Sequence, residues 1–394
     1  MSSDAAVGGA RRLDILWALV PLVLLAGLLS LFLATDPLAP LGVSAPPVER
    51  LTVERTRLDD SGITLWVRAD GSEPLSIAQV QVDGAFWQFS QDPPGRLGRL
   101  ATAALHIPYP WVQDEAHFIT VLSSTGATFE HEIEVATATP QPTFARVLAY
   151  ALLGIYVGVV PVALGLLFYP WLRTAGRRGV HFLLALTIGL LAFLLVDTLE
   201  EGLELAAGAA GAFQASATVW LAAALSFLIL VAVGRRHGAA PAGLALAWFL
   251  ALGIGLHNLG EGLAIGAAFA IGQAALGSFL VIGFTLHNLT EGIGIAATLT
   301  RQRAPLLAFV GLAALAGLPA VAGTWIGAFA FAPHWAALFL GIGAGAILQV
   351  MVELGAYLAR KFVPNDSRGF SAATLGGFAS GLAIMYVTGL LLPV

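Results

Sequence analysis

The segment LHNLGEG at residues 256–262 is repeated as LHNLTEG at residues 286–292, and both copies lie in long apolar runs. On a helix, a His at position i and a Glu at i+4 share one face, and the Asn at i+1 lies one turn from the Glu. Each copy therefore presents an imidazole, an amide oxygen and a carboxylate on one stripe. We expect two antiparallel helices to bring together six side chains: His257, Asn258, Glu261, His287, Asn288 and Glu291.

This set of nitrogen and oxygen donors suits a divalent cation of the Zn, Fe or Mn type. The alternative is a structural role, because polar residues in membrane helices also serve as packing hydrogen bonds. Ionisable groups at mid-membrane depth are costly and usually mark a substrate path, so the presence of two copies favours a functional site. The chain has no Cys, which excludes thiolate ligands and a disulfide framework.

The composition is that of a polytopic membrane protein. Of the 394 residues, 58% are hydrophobic and only 11% are charged, whereas soluble domains carry about 25% charged residues. The formal net charge of -5 is mild and argues against a nucleic-acid partner. The lipid bilayer is the expected surrounding of most of the chain.

The N-terminal segment contains an apolar run from about residue 15 to residue 34, preceded by Arg11 and Arg12. Its length approaches the roughly 20 residues needed to cross a bilayer and exceeds the core of a typical signal peptide. We expect residues 1–45 to form a cytoplasmic N-terminus and a retained membrane anchor. A signal peptide cleaved near Ala45 is the alternative.

Residues 46–142 have a different composition and alternate with a period of two, as in ITLWVR at 63–68 and FEHEIEV at 129–135. Turn sequences such as DDSG at 59–62 separate such runs. We expect a small, immunoglobulin-like β-sandwich outside the cytoplasm. Its histidines, His106, His117 and His131, read as ordinary surface residues, with a metal role as the alternative; the domain equally suits docking to a periplasmic partner.

Residues 143–394 form the third predicted domain, an all-α membrane core. Eight apolar segments predict its helices, at about 146–171, 181–205, 214–234, 241–268, 273–299, 304–331, 335–359 and 371–393. Arg and Lys are confined to every second connecting loop, as the positive-inside rule requires of cytoplasmic loops. Both ends of the core and the β-domain are therefore expected outside the cytoplasm.

Carboxylates of the core are almost confined to four of these helices. The second carries Asp197, Glu201 and Glu204 on one stripe at i, i+4 and i+7, near its expected outer end. Asp197 and Glu201 are candidate ligands or relays, and Glu204 belongs to a cation-attracting vestibule or a solvated helix end. Glu353 on the seventh helix, with Gln349 one turn earlier, is a candidate to complete the site, or else bonds a backbone carbonyl.

The pattern of the core resembles the ZIP family of divalent metal transporters. The resemblance rests on the eight segments, on HNLGEG at 257–262, on the carboxylate of Glu291 and on DTLEEGLE at 197–204, and it covers roughly residues 146–394. It implies a metal centre formed by the six motif residues, often for two ions, with Glu353 and Asp197 or Glu201 as accessory ligands. It leaves the β-domain unexplained.

Some positions depart from the family pattern. Gly260 and Thr290 stand where many members have Pro, which implies a softer kink, and the match of Glu353 needs a shift of one residue. Asn288 stands where many members have an acid, so a second ion site would carry less negative charge. Gly262 and Gly292 permit helix bending and close helix approach.

The resemblance implies a transporter, not an enzyme, that moves Zn²⁺, or else Fe²⁺ or Mn²⁺, across the plasma membrane toward the cytosol. Protonation of the His or Glu ligands would weaken binding, which implies coupling to pH. Two alternatives stay open: an intramembrane metal-dependent hydrolase, and a metal-binding sensor or assembly protein that works through its β-domain. Small residues in the sixth and seventh helices also permit a homodimer.

Overall fold

The computed structural model describes residues 4–35, 48–236, 241–270, 274–360 and 371–390. The chain divides into two compact units, Met1–Val48 and Glu49–Val394. The first contains one helix, α1 (Asp4–Thr35), whose apolar stretch runs over Leu19–Phe32. A helix is therefore present where the sequence predicts the anchor. The alternative cleavage point near Ala45 lies outside the described residues.

The second unit begins with eight strands in two antiparallel sheets. The strands are β1 (Leu51–Asp59), β2 (Gly62–Ala69), β3 (Ile77–Val82), β4 (Ala85–Trp87), β5 (Ser90–Asp92), β6 (Thr102–Ile107), β7 (His117–Ser123) and β8 (Thr128–Ile133). The sheet orders are β1-β2-β6-β5 and β4-β3-β7-β8. Inward residues of both sheets, among them Leu65, Leu105, Val80 and Ile119, form one apolar core. This strand order is that of an immunoglobulin-like sandwich, which confirms the expectation from the alternating pattern.

The described residues that follow the sandwich are mainly helical. The helices are α2 (Phe144–Gly154), α3 (Val160–Leu166), α4 (Tyr169–Thr174), α5 (Arg177–Ala207), α6 (Ala215–Gly234), α7 (Leu244–Ala270), α8 (Ala274–Thr298), α9 (Leu306–Phe329), α10 (Pro333–Arg360) and α11 (Ala372–Leu390). Within the described residues, seven helical spans are long and apolar enough to cross a membrane. These spans match the first seven predicted core segments and are those of a multi-pass membrane protein. The eighth segment contains α11, of which Ala372–Thr388 is a shorter apolar helix.

The first core segment is not one regular helix, contrary to the simple prediction of a single helix over 146–171. Helix α2 ends at Gly154, a π-helical turn follows at Ile155–Val159, and α3 starts at Val160 with Pro161 in its first turn. Proline has no N–H and clashes with the preceding turn, so it disturbs the regular hydrogen-bond ladder of a helix. The altered turn faces the motif helices described below.

The motif glycines allow neighbouring helices to approach at backbone distance, as the sequence predicted. A Cβ added at Gly262 of α7 would lie 2.2 Å from the Ala320 carbonyl oxygen of α9, and one at Gly292 of α8 would lie 2.3 Å from that of Val162 in α3. Helices α7 and α8 run without a break through their motifs. The candidate site is thus built on two continuous helices that are tightly packed against α9 and α3.

The β-sandwich contacts the helical part through the turn between α5 and α6. The Gly211 N–H donates to Asp70 Oδ2 at 2.8 Å, and the Arg68 guanidinium lies 5.1 Å from the ring centre of Phe213. Phe213 in turn stacks on His334, with ring centres 4.6 Å apart. The sandwich also contacts the end of α9, where the Arg55 guanidinium donates to the Phe329 carbonyl at 3.4 Å.

Candidate metal centre

Glu261 of α7 is the centre of a buried polar group between α7 and α8. His257, one turn earlier, contacts Glu261 Oε1 through its Nε2 at 2.8 Å, and the His287 Nε2 from α8 contacts the same oxygen. One ligand atom from each of these three residues lies within 4.8 Å of the others, a separation that suits a shared metal ion. All three side chains are at most 3% exposed.

The two motif asparagines are oriented by backbone carbonyls of neighbouring helices. Asn258 donates its amide to the Ala316 carbonyl of α9 at 3.0 Å, in the turn before Pro319. Asn288 donates to the Val157 carbonyl in the π-helical turn and to Glu261 Oε2, both at 3.1 Å. Because the donor side of each amide is engaged, its carbonyl oxygen is left as the side able to meet a cation.

Several buried polar atoms of this group have no hydrogen-bond partner among the described residues. They are Asn258 Oδ1, Asn288 Oδ1, both carboxylate oxygens of Glu291 and the Nδ1 atoms of His257 and His287. Buried polar atoms are nearly always satisfied in folded proteins, and an unpaired buried carboxylate is especially costly. A cation would offset this cost, so the donor set fits a divalent metal.

Glu353, the predicted accessory ligand from α10, is not part of the three-residue group. Its carboxylate lies 3.8 Å from Arg235, which directly follows α6. An added Cβ at Gly343, also on α10, would lie 3.4 Å from the His257 Cα. Glu353 follows Gly343 by ten residues, a distance of about 15 Å along the helix. It is buried, but it lies away from His257 along α10.

The carboxylates of α5 also lie outside the three-residue group. Thr187 of α5 donates to the Thr290 carbonyl of α8 at 3.3 Å. Asp197 and Glu201 follow this contact by ten and fourteen residues along α5. Asp197 is exposed and Glu201 partly exposed, and both interact electrostatically with Glu261. Glu204 is exposed as well.

The three histidines of the β-sandwich do not share one site. His106 bonds to Thr64, His117 to Asp83 and His131 to Thr56. His117 is buried, so it is not the surface residue that the sequence suggested. Its Nδ1 contacts Asp83 at 2.8 Å, and Tyr109 donates to the same carboxylate oxygen. These contacts describe a structural polar cluster.

A separate cavity of about 470 Å³ lies where the sandwich meets the ends of α7 and α9. Its walls include Arg55 and His131 from the strands and Ala267 and Phe329 from the helices. None of the three clustered residues lines it. The chemistry of the side chains, and not the size of a cavity, therefore identifies the candidate metal centre.

No protein-family model matches this chain, and no curated protein matches it.

Sequence reasoning singled out His257, Glu261 and His287, which the structure brings together, but missed the groups that hold their neighbours in place. The Val157 and Ala316 carbonyls hold the two asparagines, and Arg235 faces Glu353. Pro161 and Pro319 were visible in the sequence as interruptions of apolar segments. Pro161 is the available signal, because a proline leaves the carbonyl four residues earlier without its helical donor, and that carbonyl belongs to Val157. Pro319 does not give the same signal, since the carbonyl four residues before it belongs to Leu315 and not to Ala316.

Proposed function

We propose that this protein carries a divalent metal cation across a membrane, toward the cytosol, through the centre formed by His257, Glu261 and His287. The observation that carries the proposal is the convergence of three ligand atoms within 4.8 Å inside adjacent helices of membrane-spanning length. A buried group of this kind inside a helix bundle is typical of an ion path.

The donor types indicate the class of metal. Two imidazoles, a carboxylate and amide oxygens suit Zn²⁺, with Fe²⁺ and Mn²⁺ as further candidates, since nitrogen and oxygen ligands accept all three. The proposal agrees with what the resemblance to ZIP transporters implies. Because Asn288 donates to Glu261 and adds no charge, we propose that one ion is bound at a time.

The distribution of basic residues supports an orientation of the helices in the membrane. The loops with Arg173, Arg235, Arg301 and Lys361 are assigned to the cytoplasm by the positive-inside rule. The β-sandwich and the carboxylates of α5 then lie at the outer mouth. We propose that metal passes Asp197 and Glu201, binds at Glu261 and leaves past Glu291 toward the cytoplasmic side of the plasma membrane.

The experiment that tests the proposal is uptake of radioactive Zn²⁺ into proteoliposomes that contain the purified full-length chain. Wild-type protein is expected to give saturable uptake, and His287→Ala is expected to abolish it. His106→Ala, a change in the β-sandwich far from the cluster, is the matched control and should transport normally. Absence of uptake by wild-type protein would contradict the transport proposal.

Other outcomes would favour the alternatives. Zn²⁺ binding without uptake would favour a sensor or assembly protein. Zn²⁺-dependent hydrolysis of peptide or ester substrates would favour a metalloenzyme, in which Glu291 is the buried carboxylate available as a general base.

A further inference from the structure

The π-helical turn at Ile155–Val159 places an unusual carbonyl against the metal centre. Within the turn, the Val160 N–H donates to the Ile155 carbonyl, five positions earlier. Where α3 resumes the four-residue spacing of a regular helix, the donor for the Val157 carbonyl would be the residue four positions later. That residue is Pro161, which has no N–H to donate. The Val157 carbonyl accepts from Asn288 instead, with its oxygen 3.1 Å from Asn288 Nδ2.

Asn288 continues this contact to the centre of the site. Its Nδ2 also lies 3.1 Å from Glu261 Oε2, so both hydrogens of the amide have an acceptor. Glu261 uses its other oxygen, Oε1, for His257 and His287. An uninterrupted chain of contacts thus connects the turn before Pro161 with the carboxylate that both histidines share.

The turn is fixed in place by close helix packing. A Cβ added at Gly158 would lie 2.5 Å from the Gly317 carbonyl oxygen of α9. On the other side of Pro161, the Val162 carbonyl lies against Gly292 of α8. Val157 itself is fully buried. The Val157 carbonyl is therefore held by two neighbouring helices at the position where Asn288 needs an acceptor.

We propose that Pro161 is a positioning residue for the metal centre, an inference that rests on the proposed function. By withholding an N–H from Val157, Pro161 reserves that carbonyl for Asn288, and Asn288 then fixes the second oxygen of Glu261. Alanine at position 161 would supply the missing N–H and compete with Asn288 for the carbonyl. The competing explanation is that Pro161 is merely tolerated in the first turn of α3.

A first experiment tests the link between Pro161 and Asn288 without metal. Thermal unfolding is measured in nanodiscs, after chelation, for wild type, Pro161→Ala, Asn288→Ala and the double variant. In the Asn288→Ala background the Val157 carbonyl has lost its partner, so the new N–H should raise the unfolding temperature more than it does in wild type. If Pro161→Ala changes the unfolding temperature by the same amount in wild type and in Asn288→Ala, the proposal is overturned.

A second experiment measures Co²⁺ affinity from the absorption spectrum of the same four proteins. Pro161→Ala should bind Co²⁺ about tenfold more weakly than wild type, as loss of an outer-shell contact does at metal sites. It should cause no further loss in the Asn288→Ala background. Pro170→Ala is the control, because Pro170 has the same first-turn position in α4, and none of the contacts described at the metal centre involves it.

The two experiments distinguish a failure of the role of Pro161 from a failure of the proposed metal binding. Wild-type affinity in Pro161→Ala would overturn the role of Pro161 while leaving metal binding intact. If wild-type protein binds no Co²⁺, the proposed function fails, and the unfolding measurements still decide whether Pro161 acts through Asn288.

Discussion

At the scale of single residues, Glu261 determines the geometry of the site. His257, His287 and Asn288 all contact its carboxylate, and they come from two helices. The contact between His257 and Glu261 was predictable, because a spacing of four residues places both on one helix face. For the contacts from α8, the sequence predicted that the two motifs would converge, but not which atoms would meet. The pairing of Glu353 with Arg235 was not predictable, since it depends on how α6 and α10 are rotated.

We predict that Glu261→Gln loses more metal affinity than any other single change at the site. The substitution removes the charge that both histidines contact, and it keeps the size of the side chain. The loss should exceed the roughly 10–100-fold that changes to outer-shell partners cause. Titration calorimetry with Zn²⁺ measures it, with Glu204→Gln as the exposed control. A loss of less than tenfold would contradict the central place of Glu261.

A second prediction at this scale concerns His131 of the β-sandwich. Burial lowers the pKa of His131 below its usual range, so the unfolded chain takes up a proton more readily than the folded one. Above the pKa of His131 in the unfolded chain, about 6.5, the histidine is neutral in both states and the folded protein has its full stability. As the pH falls below this value and through the lower pKa of the folded state, protonation favours the unfolded chain and this stability is lost.

Thermal unfolding of wild type and His131→Gln at about pH 7.5 and about pH 5.5 measures this effect. Gln retains a partner for Thr56 but does not titrate, so the variant should lose less stability on acidification. His106→Gln serves as the control for a change of histidine elsewhere in the sandwich. An equal loss in His131→Gln and wild type would show that His131 does not contribute.

At the scale of elements, close backbone contacts between helices fix where the motif residues lie along their neighbours. Close helix approach at Gly262 and Gly292 was predictable, and both glycines lie against a carbonyl of another helix. The sequence did not predict the π-helical turn before Pro161. Periodicity records which faces are apolar, whereas the number of residues in one turn depends on the packing of α3 against α8 and α9.

Two glycines of α8 give a matched pair of substitutions. A Cβ at Gly292 would lie 2.3 Å from the Val162 carbonyl oxygen, whereas one at Gly283 would meet nothing within 4 Å. We predict that Gly292→Ala destabilises the protein by about 1–3 kcal/mol or more through overpacking. Gly283→Ala should be neutral or stabilise by up to about 1 kcal/mol.

Thermal unfolding of both variants in the same detergent checks this prediction. Gly292→Ala should unfold several degrees below wild type, and Gly283→Ala at or slightly above it. Similar unfolding temperatures for the two variants would show that α3 and α8 do not pack as closely as described.

At the scale of the molecule, the β-sandwich is joined to the helical part through Asp70 and the turn at Gly211–Phe213. The sandwich itself could be predicted, because alternating runs and turn residues recur through residues 46–142. The contact between the sandwich and the helical part could not be predicted, since Asp70 and Gly211 are 141 residues apart in the chain. The turn follows α5, the helix that carries Asp197 and Glu201, so the sandwich contacts an element next to the proposed entrance.

We predict that Asp70→Ala loosens this junction. A hydrogen bond to a charged group contributes about 1.5–3 kcal/mol, so amide exchange at Gly211 should become about tenfold faster or more. Hydrogen–deuterium exchange of the full chain measures this, with the exposed Asp60→Ala as control. Unchanged exchange at Gly211 in Asp70→Ala would mean that this contact does not hold the turn.

The measurement that tests the central claim most directly is X-ray absorption at the zinc edge of the purified, Zn²⁺-loaded protein. A site at His257, Glu261 and His287 predicts two imidazole ligands with Zn–N distances of about 2.0–2.1 Å and oxygen in the remaining positions. His287→Ala should retain one imidazole. A spectrum with no imidazole scattering, or one that His287→Ala and His257→Ala leave unchanged, would contradict the account.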